Sequence, residues 1–146
     1  MALDDIYKEV ILDHYKNPRN KREMQGADRS ASQHNPLCGD EIRVFVHEED
    51  GKVLDVSFLG QGCSISQSSA SMMTEAVAGK TREEVGELVG GFRGMMAGET
   101  EPDEDAFGEL VALKGVVKYP VRVKCAVLSW DTLQEALGGG SEAAPI

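Results

Sequence analysis

Glu41-Ile42-Arg43-Val44-Phe45-Val46-His47, followed after Glu48-Glu49-Asp50-Gly51 by Lys52 through Gly60, is the stretch whose period decides the fold. Ile42, Val44 and Val46 alternate with Arg43, Phe45 and His47, and Leu54, Val56 and Phe58 alternate with Asp55 and Ser57. Period-two alternation puts one set of side chains on each face of an extended strand. The acidic, glycine-ended turn between the two runs predicts an antiparallel hairpin. An in-register hairpin also has a chemical consequence. Asp40 enters the first strand where Gly60 leaves the second, so Cys38 and Cys63, remote in sequence, become neighbours.

Cys38 lies in Asn35-Pro36-Leu37-Cys38-Gly39-Asp40, where proline and glycine predict a turn that aims the thiol and the Asp40 carboxylate into one space. Gly60 and Gly62 flank a sharp exit from the second strand. Ser64 with Gln67 reads as a capping box, which places Cys63 just before a helix amino terminus, where the partial positive charge favours a thiolate. The third and last cysteine, Cys125, follows Tyr119-Pro120 at the start of a stripe formed by Val123, Ala126, Val127, Trp130, Leu133 and Leu137. Pro120 suits the first turn of a helix, and Cys125 then projects from an early turn of it.

Thiolates hold zinc or iron in roughly tetrahedral sites, and a carboxylate oxygen can supply the remaining ligand. Cys38, Asp40, Cys63 and Cys125 make a full set. A closed structural zinc site is one rival reading, although Asp40 is a harder and more exchangeable donor than a further thiolate or imidazole. A cysteine hydrolase or thiol oxidoreductase is another, and it requires a base beside one thiol or a C-x-x-C pair, which is absent. Of His14, His34 and His47, only His34, four residues before Cys38, is placed to compete with Asp40 as ligand. Lys124 and Arg122 are auxiliary candidates, because cations beside thiolates favour the ionised form.

The remaining chain predicts helices around this hairpin. Leu3, Ile6, Tyr7, Val10, Ile11 and His14 form a helical stripe over about residues 3–16, stopped by Asn17-Pro18. Arg19 to Gln33 is polar and reads as a loop contributing at most a short edge strand. The helix after Cys63 carries Ile65, Ser68, Ser69, Met72, Met73 and Ala76 to one side and ends at Gly79. Thr81 and Glu84 form a second capping box ahead of a third helix, which Gly90-Gly91 is expected to bend or end. A short helix carrying Phe107, Leu110 and Val111 follows. The fold class predicted is α+β, a small antiparallel sheet of two or three strands packed against helices, in one domain over residues 1–137 with a flexible tail at 138–146.

The 146 residues carry a formal net charge of −10, which disfavours nucleic acid or an anionic membrane as partner. No apolar run approaches the roughly 20 residues needed to cross a bilayer. Three cysteines cannot complete a disulfide framework, and the acidic Met1-Ala2-Leu3-Asp4-Asp5 does not resemble a signal peptide. Reduced thiols in the cytoplasm are expected.

N-P-x-C-G-D at 35–40, G-x-G-C-x-I-S at 60–66, V-K-C at 123–125 and W-x-x-L at 130–133 together resemble the IscU/SufU/NifU-N family of iron–sulfur cluster assembly proteins. The likeness runs from the first helix to about Leu137. It is strongest to the SufU branch, which keeps a longer segment before the last cysteine and has lysine, here Lys124, where IscU proteins have histidine. The resemblance implies a third strand, one Zn2+ per chain, and passing contact with iron or an Fe–S cluster. It implies a cysteine desulfurase (SufS/IscS-like) as sulfur donor and downstream Fe–S assembly proteins as recipients. Sulfur transfer is expected ahead of a scaffold role. Cys38 is the expected acceptor, on the resemblance and because its glycine-containing loop is free to move where Cys63 and Cys125 are tied to helices.

Overall fold

The computed structural model describes residues 2–36, 39–101 and 104–138, the side chains of 2–7, 104 and 106 excepted. The expected hairpin is its centre. β2 (Asp40–Glu49) and β3 (Lys52–Gln61) run antiparallel with Ile42 opposite Gly60 and Val44 opposite Phe58. Asp50 and Gly51 turn the chain at φ +53° and +75°, the left-handed pair that matches strand twist in a tight hairpin. The alternation of β3 is broken once. His47 pairs with Asp55 but Glu48 with Val53, so Leu54 is an extra residue in the ladder. The bulge moves Leu54 out to 40% exposure and gives its expected inward place to Val53. Phe45, expected on the outer face, is nonetheless buried, with the Arg43 guanidinium 4.9 Å from its ring centroid.

The sheet has four antiparallel strands in the order β1-β2-β3-β4, where two or three were expected. β1 (Arg29–Asn35) pairs with β2 along its whole length, from Arg29 opposite Val46 to Asn35 opposite Asp40. Its sequence, Arg-Ser-Ala-Ser-Gln-His-Asn, has almost no apolar alternation. A finished hairpin edge supplies the pairing that the segment's own composition does not encode. β4 (Lys80–Thr81) pairs with Lys52 and Val53. Further along the same side of β3, Phe58 donates its N–H to Asn20 O at 3.0 Å, so residues 20–21 cover that edge. Glu48 gathers the far end of the sheet by accepting hydrogen bonds from Arg82 and Arg29. Chiefly the Arg82 contact lowers the Glu48 carboxyl to about 2; burial, next in size, opposes it, and the Arg29 contact adds to the fall.

Ile42, Val44, Val46, Val53, Val56 and Phe58 turn one sheet face toward the helices. α1 is Ala2–Lys16, α2 Ser64–Val77, α3 Arg82–Met96, α4 Glu104–Phe107 and α5 Pro120–Ala136; a 3-10 helix, Gly108–Lys118, joins the last two. α2 is central. Ser66, Ser68, Ser69, Ser71, Ala70 and both methionines are buried, so the small-residue pattern expected of one face continues around much of the helix. Trp130 of α5 stacks on Phe92 of α3 with centroids 4.5 Å apart, and its indole N–H reaches Ser69 Oγ on α2 at 3.2 Å. α3 passes unbroken through Gly90-Gly91, contrary to the expected bend or stop. A Cβ at Gly91 would lie 3.0 Å from the Phe107 ring, so that glycine opens a seat for a remote aromatic. The short helix expected around Phe107 is instead divided at Gly108, φ +53°. In the 3-10 run, Leu110, Leu113 and Val116 recur every three residues and are all buried, the period that keeps one row facing the core. Among the described residues no helix is long and apolar enough to cross a membrane. The expected tail lies, from residue 139 on, outside the described residues.

Candidate metal centre

Asp40, Cys63 and Cys125 meet at one end of the sheet, with a candidate ligand atom from each within 4.8 Å of the others. The hairpin register is the first cause. Glu41 faces Gln61, so the next residues out, Asp40 and Gly62, come side by side. Gly62, at φ +149°, turns the chain so closely past Asp40 that a Cβ there would sit 2.9 Å from the Asp40 Cα. This approach lets Asp40 Oδ1 accept the Cys63 N–H at 2.8 Å, while Oδ2 lies 3.9 Å from Cys63 Sγ.

Cys63 is itself the N-cap of α2. Its sulfur accepts the Ser66 N–H at 3.5 Å, and Gln67 N–H donates to Cys63 O at 3.1 Å. The expected Ser64–Gln67 capping box is therefore replaced by a sulfur cap one residue earlier, and Gln67 Nε2 donates to Ser66 Oγ instead. The sulfur is oriented by the partial positive end of the helix.

Cys125 is fully buried in α5, with Sγ 3.8 Å from Val121 O. Asn35, the last residue of β1, brings Nδ2 to 3.9 Å from that sulfur, a contact no sequence signal announced. Arg122 lies one helical turn before Cys125. Its electrostatic interaction with Cys63, followed by hydrogen bonds to the side chains of Cys125 and Cys63, raises the guanidinium above its ordinary value. The spacing i, i+3 on a helix was the available signal for Arg122, whereas Lys124, adjacent in sequence, points about 100° away. Lys124 is exposed and has no hydrogen bond or ion pair among the described residues. His34 is exposed on β1 opposite Glu41 and is not part of the ligand cluster. Cys38 lies outside the described residues. On its two sides, the Gly39 N–H donates to Asn35 O at 2.9 Å, with Gly39 at φ +71°.

These residues fit a metal. Asp40 is 0% exposed, its Oδ1 is held by a backbone N–H and its Oδ2 faces a thiol. A buried carboxylate is costly unless a positive charge compensates it. Two sulfurs and one carboxylate oxygen within such a radius match zinc or ferrous iron, whose tetrahedral ligands sit roughly 3–4 Å apart. The double role of Asp40 yields a prediction. Asp40→Asn, which can keep the hydrogen bond to Cys63, is expected to lose about tenfold in zinc affinity, and Asp40→Ala, which also frees the Cys63 N–H, about a hundredfold. Competition with a chromophoric chelator measures both, and equal losses would mean that the hydrogen bond does not shape the site.

A mixed sheet-and-helix protein with a cysteine–carboxylate cluster at the open end of its hairpin is the class that fold and site define. Residues 6–126 match the family profile described as NifU-like N terminal domain, and the chain belongs to this family, that of the IscU, SufU and NifU-N proteins. It is 44% identical over 135 residues to the zinc-dependent sulfurtransferase SufU of Bacillus subtilis (strain 168), covering 92% of this chain and 91% of that protein. It is 40% identical over 135 residues to the iron-sulfur cluster assembly scaffold protein IscU of Streptococcus pyogenes serotype M1, with 92% and 84% covered. The crystal structure of the N-terminal part of a nitrogen-fixing NifU-like protein from Brucella abortus superposes with a TM-score of 0.85 at 26% identity, over 99% of this chain and 100% of that one.

Proposed function

We propose that the protein is a zinc-binding acceptor of persulfide sulfur, working in iron–sulfur cluster assembly. The observation that carries the reading is the buried Asp40 carboxylate set against Cys63 and Cys125, a donor set with one weak member. Cys38, Asp40, Cys63 and Cys125 would hold one Zn2+ per chain. Bound zinc keeps its cysteine ligands as thiolates at neutral pH. The partner is a cysteine desulfurase of the SufS or IscS kind, and downstream assembly proteins receive the sulfur. A reducing compartment such as the cytoplasm suits free thiols that must stay exchangeable.

The transfer step balances without a further reductant. The Cys38 thiolate attacks the outer sulfur of the desulfurase persulfide, a new S–S bond forms on Cys38, and the desulfurase thiolate leaves. Arg122, beside both helix-borne sulfurs, offers positive charge to the incoming anionic persulfide. Cys63 and Cys125 are held by α2 and α5 throughout, which supports Cys38 as the ligand that departs.

Incubation with a desulfurase and cysteine, alkylation, and peptide mass spectrometry test the assignment. One added sulfur is expected on Cys38; label on Cys125 with Cys38 unmodified would reject it. The Streptococcus relative's name favours a scaffold as second reading. Protein purified without oxygen separates the two, colourless with one zinc for the acceptor and brown with iron and sulfide for the scaffold.

A further inference from the structure

We propose a second metal site, for a divalent first-row transition ion of the Fe2+ or Mn2+ kind, formed by His14, Glu75 and Glu109. The three come from α1, α2 and the 3-10 helix, and one candidate ligand atom of each lies within 4.8 Å of the others. Glu75 is twelve residues along α2 from Cys63, so about 18 Å of helix separates this cluster from the cysteine centre.

His14 is the anchor. It was legible in sequence only as part of the apolar stripe of α1, and it is 0% exposed. Its Nδ1 bonds Ser71 Oγ at 2.8 Å, and that oxygen also accepts the Arg19 N–H at 2.9 Å. Such a partner on the far nitrogen orients an imidazole and leaves the near one to face a ligand. The near nitrogen, Nε2, meets Glu109 Oε1 at 2.8 Å.

An ion-pair clamp between α1 and the 3-10 helix needs only His14 and Glu109. Glu75 is what the clamp does not use. Its carboxylate has no hydrogen bond or ion pair among the described residues, and the neighbouring Arg19 guanidinium is engaged with Asp13 at 2.7 Å. Glu75 and Glu109 also line a cavity of about 140 Å3 with Met72, Ala76, Phe107 and Leu110, which leaves room for water to complete a coordination sphere. One imidazole with two carboxylates is intermediate in hardness. It suits Fe2+, Mn2+ or Zn2+ better than Cu+, which seeks thiolate, and it lacks the thiolates that ordinarily hold a cluster. The two negative charges would compensate a divalent ion when the imidazole is neutral. An ion here would be held apart from the thiolates, on the helix whose N-cap is Cys63.

The test uses the full chain carrying one equivalent of zinc, titrated with Mn2+ while the signal of free Mn2+ is followed by electron paramagnetic resonance. One further Mn2+ is expected to bind. Glu75→Gln, which leaves the His14–Glu109 contact intact, should weaken that binding at least about tenfold, and Glu75→Gln with Glu109→Gln should remove it, with zinc content unchanged in both. Mn2+ should raise the melting temperature of the parent protein and not of the double variant. Absence of a second bound ion, or Mn2+ affinity unaltered by Glu75→Gln, would overturn the proposal.

Discussion

Chelating the zinc is expected to lower the melting temperature by roughly 10 °C. A ligand present at about a thousandfold excess over its Kd stabilises by roughly 4 kcal/mol, and in a chain of this size each kcal/mol moves the midpoint by about 2–4 °C. The expected effect has a structural cause. Asp40 begins β2, Cys63 caps α2 and Cys125 sits early in α5, so one ion held by them would tie the sheet to two helices that are remote in sequence. Without such an ion the fully buried Asp40 carboxylate would lack a compensating cation, and the two sulfurs would lack a shared positive ligand partner. Differential scanning calorimetry before and after chelation measures the shift. Coincident melting of the two forms would show that the centre is not coupled to the fold.

Gly62→Ala is expected to lower zinc affinity by at least about a hundredfold while costing about 1–3 kcal/mol of stability. The added Cβ would overlap Asp40 Oδ1 and lie 2.9 Å from the Asp40 Cα, at a φ of +149° that side chains rarely adopt. Relief requires β3 to move away from the start of β2, and that movement breaks the bond from Cys63 N–H to Asp40. Gly86→Ala supplies the contrast. Gly86 lies inside α3 with nothing within 4 Å of a built Cβ, so the same change there should raise stability by about 1 kcal/mol and leave zinc binding untouched. Zinc titration and thermal melts of both variants decide the matter; parent-like affinity in Gly62→Ala would reject the close approach as a requirement of the site.

Short-range pattern determined much of this protein. Period-two alternation from Ile42 to Phe58 specified the hairpin, and Thr81 with Glu84 formed the expected reciprocal cap of α3. Asn35-Pro36-Leu37-Cys38-Gly39-Asp40 and the residues around Cys63 and Cys125 carried the family likeness. In each case the signal lies within a few residues of the structure it specifies. Tertiary structure decided the rest, because the partners lie far away along the chain. β1 is polar and becomes a strand only where β2 offers an edge; Leu54 leaves the core because the ladder inserts it opposite a gap that alternation cannot report. Gly91 reads as a helix breaker until Phe107 packs on it. Arg122 rather than Lys124 reaches the thiols because a helix turns 100° per residue. His14 acquires Ser71 and Glu109, 57 and 95 positions away, only when α1, α2 and the 3-10 helix pack together. Local propensity and periodicity are properties of a segment, whereas the environment of a side chain is set by whichever segments packing brings to it.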